Sequence, residues 1–175
     1  FRGWAQAEFC LCHQLREKAE GRDIVLFSSK YSQALCSGTV LSATTLPAQR
    51  VINYRNLQEV IELEAGSRVL LVNDDKDTTA EAINQLMEIG LTDLCYIPCY
   101  PGSPSHLEIT TAITPGERSY VPRHVTRVID IGVRTLDIRT IYDLAHLLEA
   151  EHLLTQSLVA RYLSQIVTVS KSLSQ

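Results

Sequence analysis

The sequence is bounded first by what it lacks. It contains no Gly-x-x-x-x-Gly-Lys loop, no Gly-x-Gly-x-x-Gly turn and no Gly-x-Ser-x-Gly elbow, so the common nucleotide-binding and hydrolase signatures are missing. The five histidines, His13, His106, His124, His146 and His152, form no His-x-x-x-His or His-x-x-Glu-His group. The five cysteines, Cys10, Cys12, Cys36, Cys95 and Cys99, form no Cys-x-x-Cys pair and are odd in number. That excludes a zinc ribbon and points to reduced, mostly buried thiols of a cytoplasmic protein. No apolar run approaches the roughly 18–20 residues of a membrane span, and no signal peptide is visible. A net charge of −4 supplies no global reason for nucleic-acid binding. These absences lead us to expect no catalysis, no cofactor, no bound metal, no membrane contact and no direct nucleic-acid contact. The chain starts at Phe1 and ends inside a helical pattern, from which we expect a segment of a longer protein.

What is present is organised around Arg68 to Gly90. The apolar run Val69-Leu70-Leu71-Val72 has the pattern of a buried parallel strand. It ends in Asn73-Asp74-Asp75. A helix follows, with Ala80, Ile83, Leu86 and Met87 at helical spacing, and Gly90 ends it. Upstream, residues 4–20 read as a helix stopped by Gly21, Ile24–Phe27 as a strand and Tyr31–Ser37 as a short helix. Thr39–Ala48 reads as irregular, with a loop at Thr44–Pro47. Arg50–Tyr54 reads as a strand and Leu57–Leu63 as a helix closed near Gly66. Downstream, Leu94–Ile97 is a strand stopped by Pro98, followed by a turn-rich loop at Tyr100–Pro104. Leu107–Ile113 and Val128–Gly132 read as strands. A helix then opens near Ile138, with Thr140 and Asp143 as a weak capping box.

Alternating strands and helices with short links predict an α/β fold with a mostly parallel sheet, in two Rossmann-like or receiver-like halves. The boundaries expected are 1–66, 67–143 and a C-terminal connector helix, 144–175. Leu154, Leu158, Tyr162, Ile166, Val169 and Leu173 form a narrow apolar seam. It fits either a helix packed on its own domain or a dimerising, signal-carrying helix.

In open parallel sheets, ligands gather at the carboxyl ends of strands. That rule selects Ser28 and Ser29, Asn53, Asn73, Asp74 and Asp75, Tyr100, Thr114, Pro115, Gly116 and Glu117, and Asp130 and Arg134 as candidate ligand-binding residues. Asp74 and Asp75 fit a cation site or a solvated helix N-terminus, where carboxylates are favoured. Thr114–Glu117 fits an anion-binding turn or a plain type II turn, with Pro at its second position and Gly at its third. Arg134, between Asp130 and Asp137, fits a carboxylate or phosphate clamp, or an internal ion-pair network.

A strand, an acidic turn, a helix and a glycine resemble the opening of a bacterial receiver domain. With Pro115-Gly116 in register, however, the phospho-acceptor position falls on Thr111, and the later lysine position offers only Arg134. The motifs VLLVNDDKDTTAEAINQLMEIGL, IPCYPG, AITPGERSYVP and VIDIGVRTLDIRTIYDLAHLL, with the upstream SSK and VINYRNL, resemble the amino-terminal sensory region of sigma-54-dependent, PAS-containing transcriptional activators. The resemblance spans about residues 24–150. The strand-end polar clusters, the incomplete receiver site and the helical tail lead us to expect a non-catalytic domain that binds a small, anionic effector between its halves; the resemblance itself implies the sensor piece of such a regulator. It also implies downstream PAS and ATPase domains as partners and a homodimer through the C-terminal helix. Two rival readings are a degenerate receiver acting by protein–protein contact and a small α/β enzyme.

Overall fold

The computed structural model describes residues 8, 10–28, 30–39, 42–53 and 56–154. Among these, one compact unit takes the residues up to Arg50 and those from Leu136 onward; the other is Val51–Thr135. The chain thus divides at 50/51 and 135/136, where the sequence pattern puts boundaries near 66 and 143. Ser29 and Tyr54, and the apolar seam beyond Leu154, lie outside the described residues.

In the first unit, a 3-10 turn at Cys12–Gln14 runs into α1 (Leu15–Lys18), so regular helix among the described residues is far shorter than the pattern from 4 to 20. Strand β1 (Ile24–Phe27) leads to α2 (Lys30–Leu35). The expected loop at Thr44–Pro47 is instead β2, paired in parallel with β1 from Ile24↔Thr44 to Phe27↔Pro47. Leu15, Ala19, Phe27 and Cys36 form the core. The chain leaves this unit within β3 (Arg50–Val51), only a fragment of the strand expected over 50–54.

In the second unit, α3 is short (Gln58–Ile61). Strand β4 (Arg68–Val72) is central, with Val69 to Val72 buried; each such side chain contributes about 1.5–3 kcal/mol. Helix α4 (Lys76–Glu88) follows, capped by Asp75. It buries Thr78, Thr79, Ala82 and Leu86. Ala80 and Met87 are exposed, so the buried stripe is rotated from the one the spacing predicts. Gly90, at φ +98°, closes the helix. Gly90 N–H donates to Met87 O and Leu91 N–H to Leu86 O, a Schellman arrangement sealed by Leu86 and Leu91 in the core.

Strand β5 (Cys95–Cys99) continues through Pro98. It is an edge strand, and Cys95 and Cys99 make the ladder bonds to Ser67 and Asn73. Pro98 therefore occupies an outward position where no N–H is needed. Strand β6 spans Thr111–Thr114 and β7 Arg127–Asp130. Leu107, expected in a strand, is exposed and irregular. The four strands are parallel in the order β5-β4-β6-β7, the order with which flavodoxin-like doubly wound sheets begin.

Residues 69 and 71 alternate with 70 and 72 across the sheet. Val69 and Leu71 join Ala82, Leu86, Ile113 and Ile129 beneath α4. Leu70 and Val72 meet Ile109, Val121 and Val125, which come from loops. The chain leaves this unit within β8 (Thr135–Leu136), which pairs with β3. It ends the described region with α5 (Ile138–Leu147). Asp137, not Thr140, caps α5, accepting from Arg139 N–H at 2.7 Å. Thr140 is buried and bonded to the Gln49 backbone. The helix expected to run on from 144 stops at Leu147, and Glu149 follows at φ +51°. No helix among the described residues is long and apolar enough to cross a membrane. Cys36 and Cys99 are buried, whereas Cys10 and Cys95 are exposed, all four as free thiols.

Candidate functional site

Strands β4 and β6 are neighbours whose outgoing connections lead to opposite sides of the sheet. Their carboxyl ends form the topological switch point, where such sheets place ligands. The structure gathers Asn73–Asp75, Thr114–Glu117, Asp130 and Arg134 on this end of the second unit. Asn53 joins them: with Asn56, it faces the bare Cα of Gly132, where a Cβ would meet Asn56 Nδ2 at 3.0 Å and Asn53 Nδ2 at 3.7 Å. Ser28 belongs to the first unit, where its hydroxyl donates to Ser32 Oγ.

Each charged group there already has an internal partner. Asp75 Oδ1 accepts from Asp77 N–H at 2.8 Å and Thr78 N–H at 2.9 Å, the donors a helix N-terminus leaves orphaned. Asp74 accepts from Thr78 Oγ1 at 2.7 Å. The acidic pair thus builds the helix start, and the helix N-terminus it caps offers no free N–H at those positions to an external anion.

The turn after β6 is equally occupied. Gly116 at φ +93° follows Pro115, as a type II turn requires. Glu117 N–H donates to Thr114 Oγ1 at 2.9 Å. Gly116 N–H donates to the Asp130 carboxylate. The same carboxylate accepts from Gly132 N–H at 2.9 Å and Arg118 Nε at 2.7 Å. The turn does hold an anion, and that anion is the chain's own Asp130. Burial pushes the Asp130 carboxyl up, but Arg118, Gly132 and Gly116 together outweigh it and hold the carboxyl below its ordinary value.

Arg134 clamps neither Asp130 nor Asp137. Its side chain is 3% exposed, and Nη1 donates to Glu81 Oε2 at 2.5 Å. Glu81 lies on α4, so this ion pair ties the segment after β7 to the helix over β4. Thr111, the expected acceptor position, starts β6. It is therefore at the wrong end of the strand; Thr114 occupies the carboxyl end, fully buried. Asn73 is the exception in this network. It is 3% exposed, its Oδ1 accepts from Asp74 N–H, and its Nδ2 has no partner among the described residues.

No family model matches the chain. Neither a curated protein nor a solved structure matches it significantly.

Tyr100 stands apart from the other candidates. At the end of β5 it donates its N–H to Ser103 Oγ at 3.0 Å and lines a cavity of about 390 Å³ on the loop-covered side of the sheet. Burial pushes the nearby Cys99 thiol up, opposed by its hydrogen bond with Ser103. His106, Ser119, Tyr120 and His124 share this cavity. The sequence reading missed them because the histidines have no ligand spacing; the cluster of Pro101, Pro104 and Pro122 was the available signal. Glu81 and Arg118 were missed because the contacts that engage them are not local in sequence.

Proposed function

We propose that this chain is a non-catalytic, cytoplasmic signal-input module of a sigma-54-dependent transcriptional activator, which binds a small effector in its parallel-sheet unit. One observation carries the reading: the sheet has receiver-like strand order, while each group a phosphotransfer site would need is missing or engaged in structure. Asp75 caps α4, Asp74 is held by Thr78, Thr114 stands at the end of β6, and Arg134 is paired with Glu81. A sheet kept in that form without its chemistry serves binding and transmission rather than turnover. We take the effector to be uncharged rather than anionic, because the N–H groups of Gly116 and Glu117 and the side chains of Arg118 and Arg134 already have internal acceptors. A ligand becomes a signal only by binding one conformational state more tightly than another.

The test is a transcription reporter on a sigma-54 promoter, driven by the regulator that carries this segment. Replacing the segment with an unrelated linker should abolish the response to inducing conditions while the regulator still binds its promoter. An unchanged response would overturn the reading. So would phosphoryl uptake from acetyl phosphate and Mg²⁺ by the purified chain.

A further inference from the structure

Among the described residues of its unit, the second face of the parallel sheet has no α-helix over it, only the single 3-10 turn Arg118–Tyr120. The β4-to-β5 connection is helical, whereas the β5-to-β6 connection, residues 100–110, contains none. Pro101 and Pro104 deny it the backbone donors and dihedrals of a helix. The chain instead turns back at Tyr100–Ser103, where Ser103 N–H donates to Tyr100 O at 2.9 Å. An irregular strap covers less of a sheet than a helix about 10 Å across. The gap it leaves reaches down to Leu70 of the central strand and forms the cavity of about 390 Å³, within the range of small-molecule sites.

The chemistry of the walls is specific. Leu70, Cys99, Pro101, Pro104 and Pro122 supply the apolar surface, and Tyr100 and Tyr120 supply aromatic rings. His124 Nε2 lies 3.1 Å from His106 O. A carbonyl only accepts, so Nε2 carries the hydrogen, and His124 Nδ1 is an acceptor in the neutral ring. His106 Nδ1 lies 3.6 Å from Glu108 Oε1. The Glu108 carboxyl is held below its ordinary value by its own backbone N–H, Arg68 and His106. In the neutral ring with hydrogen on Nδ1, facing that carboxylate, His106 Nε2 is a second acceptor. The hydroxyls of Tyr100, Tyr120, Ser105 and Ser119 bond to no other described side chain or backbone group. Among the described residues, no Lys, Arg, Asp or Glu lines the cavity.

We propose that this cavity is a binding site for a small, planar, uncharged aromatic or heteroaromatic molecule bearing N–H or O–H donors. Flat rings match the tyrosine and proline surfaces. Donors on the ligand match the two imidazole acceptors, and the free hydroxyls satisfy its remaining edges. A carboxylate would meet two nitrogen lone pairs with no cation to offset it. The site stands on this geometry; identifying its ligand with the effector rests on the regulatory reading above.

The experiment is titration of the ¹⁵N-labelled chain with catechol, adenine and 4-hydroxyindole, with benzoate and cyclohexanol as charged and non-planar controls. At least one planar probe should shift the backbone amides of Ser103, Ser119 and Val121 at millimolar concentration or below, and the controls should not. Ser119 is exposed at the cavity wall, so Ser119→Trp should fill the space and abolish those shifts. His124→Phe keeps the ring and removes the acceptor; it should weaken binding roughly 2- to 12-fold, the worth of one neutral hydrogen bond. No shift at these amides with any planar probe overturns the proposal. Equal shifts with benzoate or cyclohexanol do so as well, as does wild-type affinity in both variants. The reporter and the titration fail independently: lost promoter response without probe binding removes the cavity assignment and leaves the regulatory reading, and the converse removes only the latter.

Discussion

Replacing Asp130 with alanine is the sharpest probe of the carboxyl end of the sheet. The carboxylate accepts from Gly132 N–H at 2.9 Å on its own segment and joins β7 to the turn after β6 through Gly116 N–H and through Arg118 Nε at 2.7 Å. A hydrogen bond to a charged group is worth about 1.5–3 kcal/mol. The Asp130 side chain is 23% exposed, so the lower end of that range applies to the two backbone bonds, about 3 kcal/mol together. Arg118 is 65% exposed, and a pair that wet contributes about 0–1 kcal/mol. The expectation is an asymmetry: Asp130→Ala costs about 3 kcal/mol and Arg118→Ala less than about 1 kcal/mol.

Native-state hydrogen exchange at the Ile113 and Ile129 amides reads this unit directly, since both residues are buried in its core. A loss of about 3 kcal/mol is a fall in protection of roughly 150-fold. The pH dependence supplies the control. The folded carboxyl sits below its ordinary value of 3.8. Its stabilisation is therefore fully present above the unfolded value, about 3.9, and is lost as pH falls through the folded value. The gap between wild type and Asp130→Ala should be constant from neutral pH down to about 5 and close below about 4. A gap that persists in strong acid, or an Arg118→Ala variant as unstable as Asp130→Ala, would refute the assignment of Asp130 as the anion of this turn.

Three further outcomes follow from the same kind of reasoning. Glu81→Ala strands a guanidinium that is 3% exposed, whereas Arg134→Met frees a carboxylate that is 49% exposed; urea unfolding should show the first losing about 2–3 kcal/mol and the second about 1 kcal/mol or less. Asp75→Ala removes the acceptor of two α4 donors and should cost about 1–2 kcal/mol, with the loss of protection concentrated in the first turn of α4. Gly116→Ala places a Cβ 2.7 Å from Val133 Cγ1 at φ +93°, and should cost about 1–3 kcal/mol. Adding Val133→Ala should relieve only the contact, leaving the backbone strain to be measured in the double variant.

The legible parts of the chain are those whose cause is local. The run Val69–Val72, the helix start after Asp74-Asp75 and the Gly90 stop all lie within one strand–helix unit, and each is where its pattern puts it; that Asp75 caps the helix is shown only by the structure. Strand β2 was hidden because Thr44-Thr45-Leu46-Pro47 shows no apolar alternation; its strand form depends on β1 being alongside. Pro98 misled because a proline stops a central strand but is tolerated on the outward side of an edge, and edge position is a property of the sheet. The site shows the same division. The turn at Thr114–Glu117 is readable from Pro115-Gly116, but not that Asp130 fills it. Arg134 is readable as a charge near a strand end, but its partner Glu81 lies on another element.

The two ends of that division bear differently on where a ligand acts. At the carboxyl end of the sheet, the Asp77 and Thr78 donors of α4, the turn amides and both arginines have acceptors within the chain. Apart from the buried Asn73 Nδ2, which has no partner among the described residues, an added ligand would have to displace bonds it could at best replace. On the face without an α-helix, four hydroxyls and two imidazole acceptors border an apolar floor without partners among the described residues. A ligand there breaks no bond within the described chain and exchanges only bonds to solvent. The covering segments are also irregular apart from the 3-10 turn Arg118–Tyr120, the kind of structure that opens locally at low cost. A molecule bridging residues 100–106 to 119–124 would hold that cover closed over β4. The difference in affinity between closed and open cover is what a binding event needs in order to shift a conformational equilibrium.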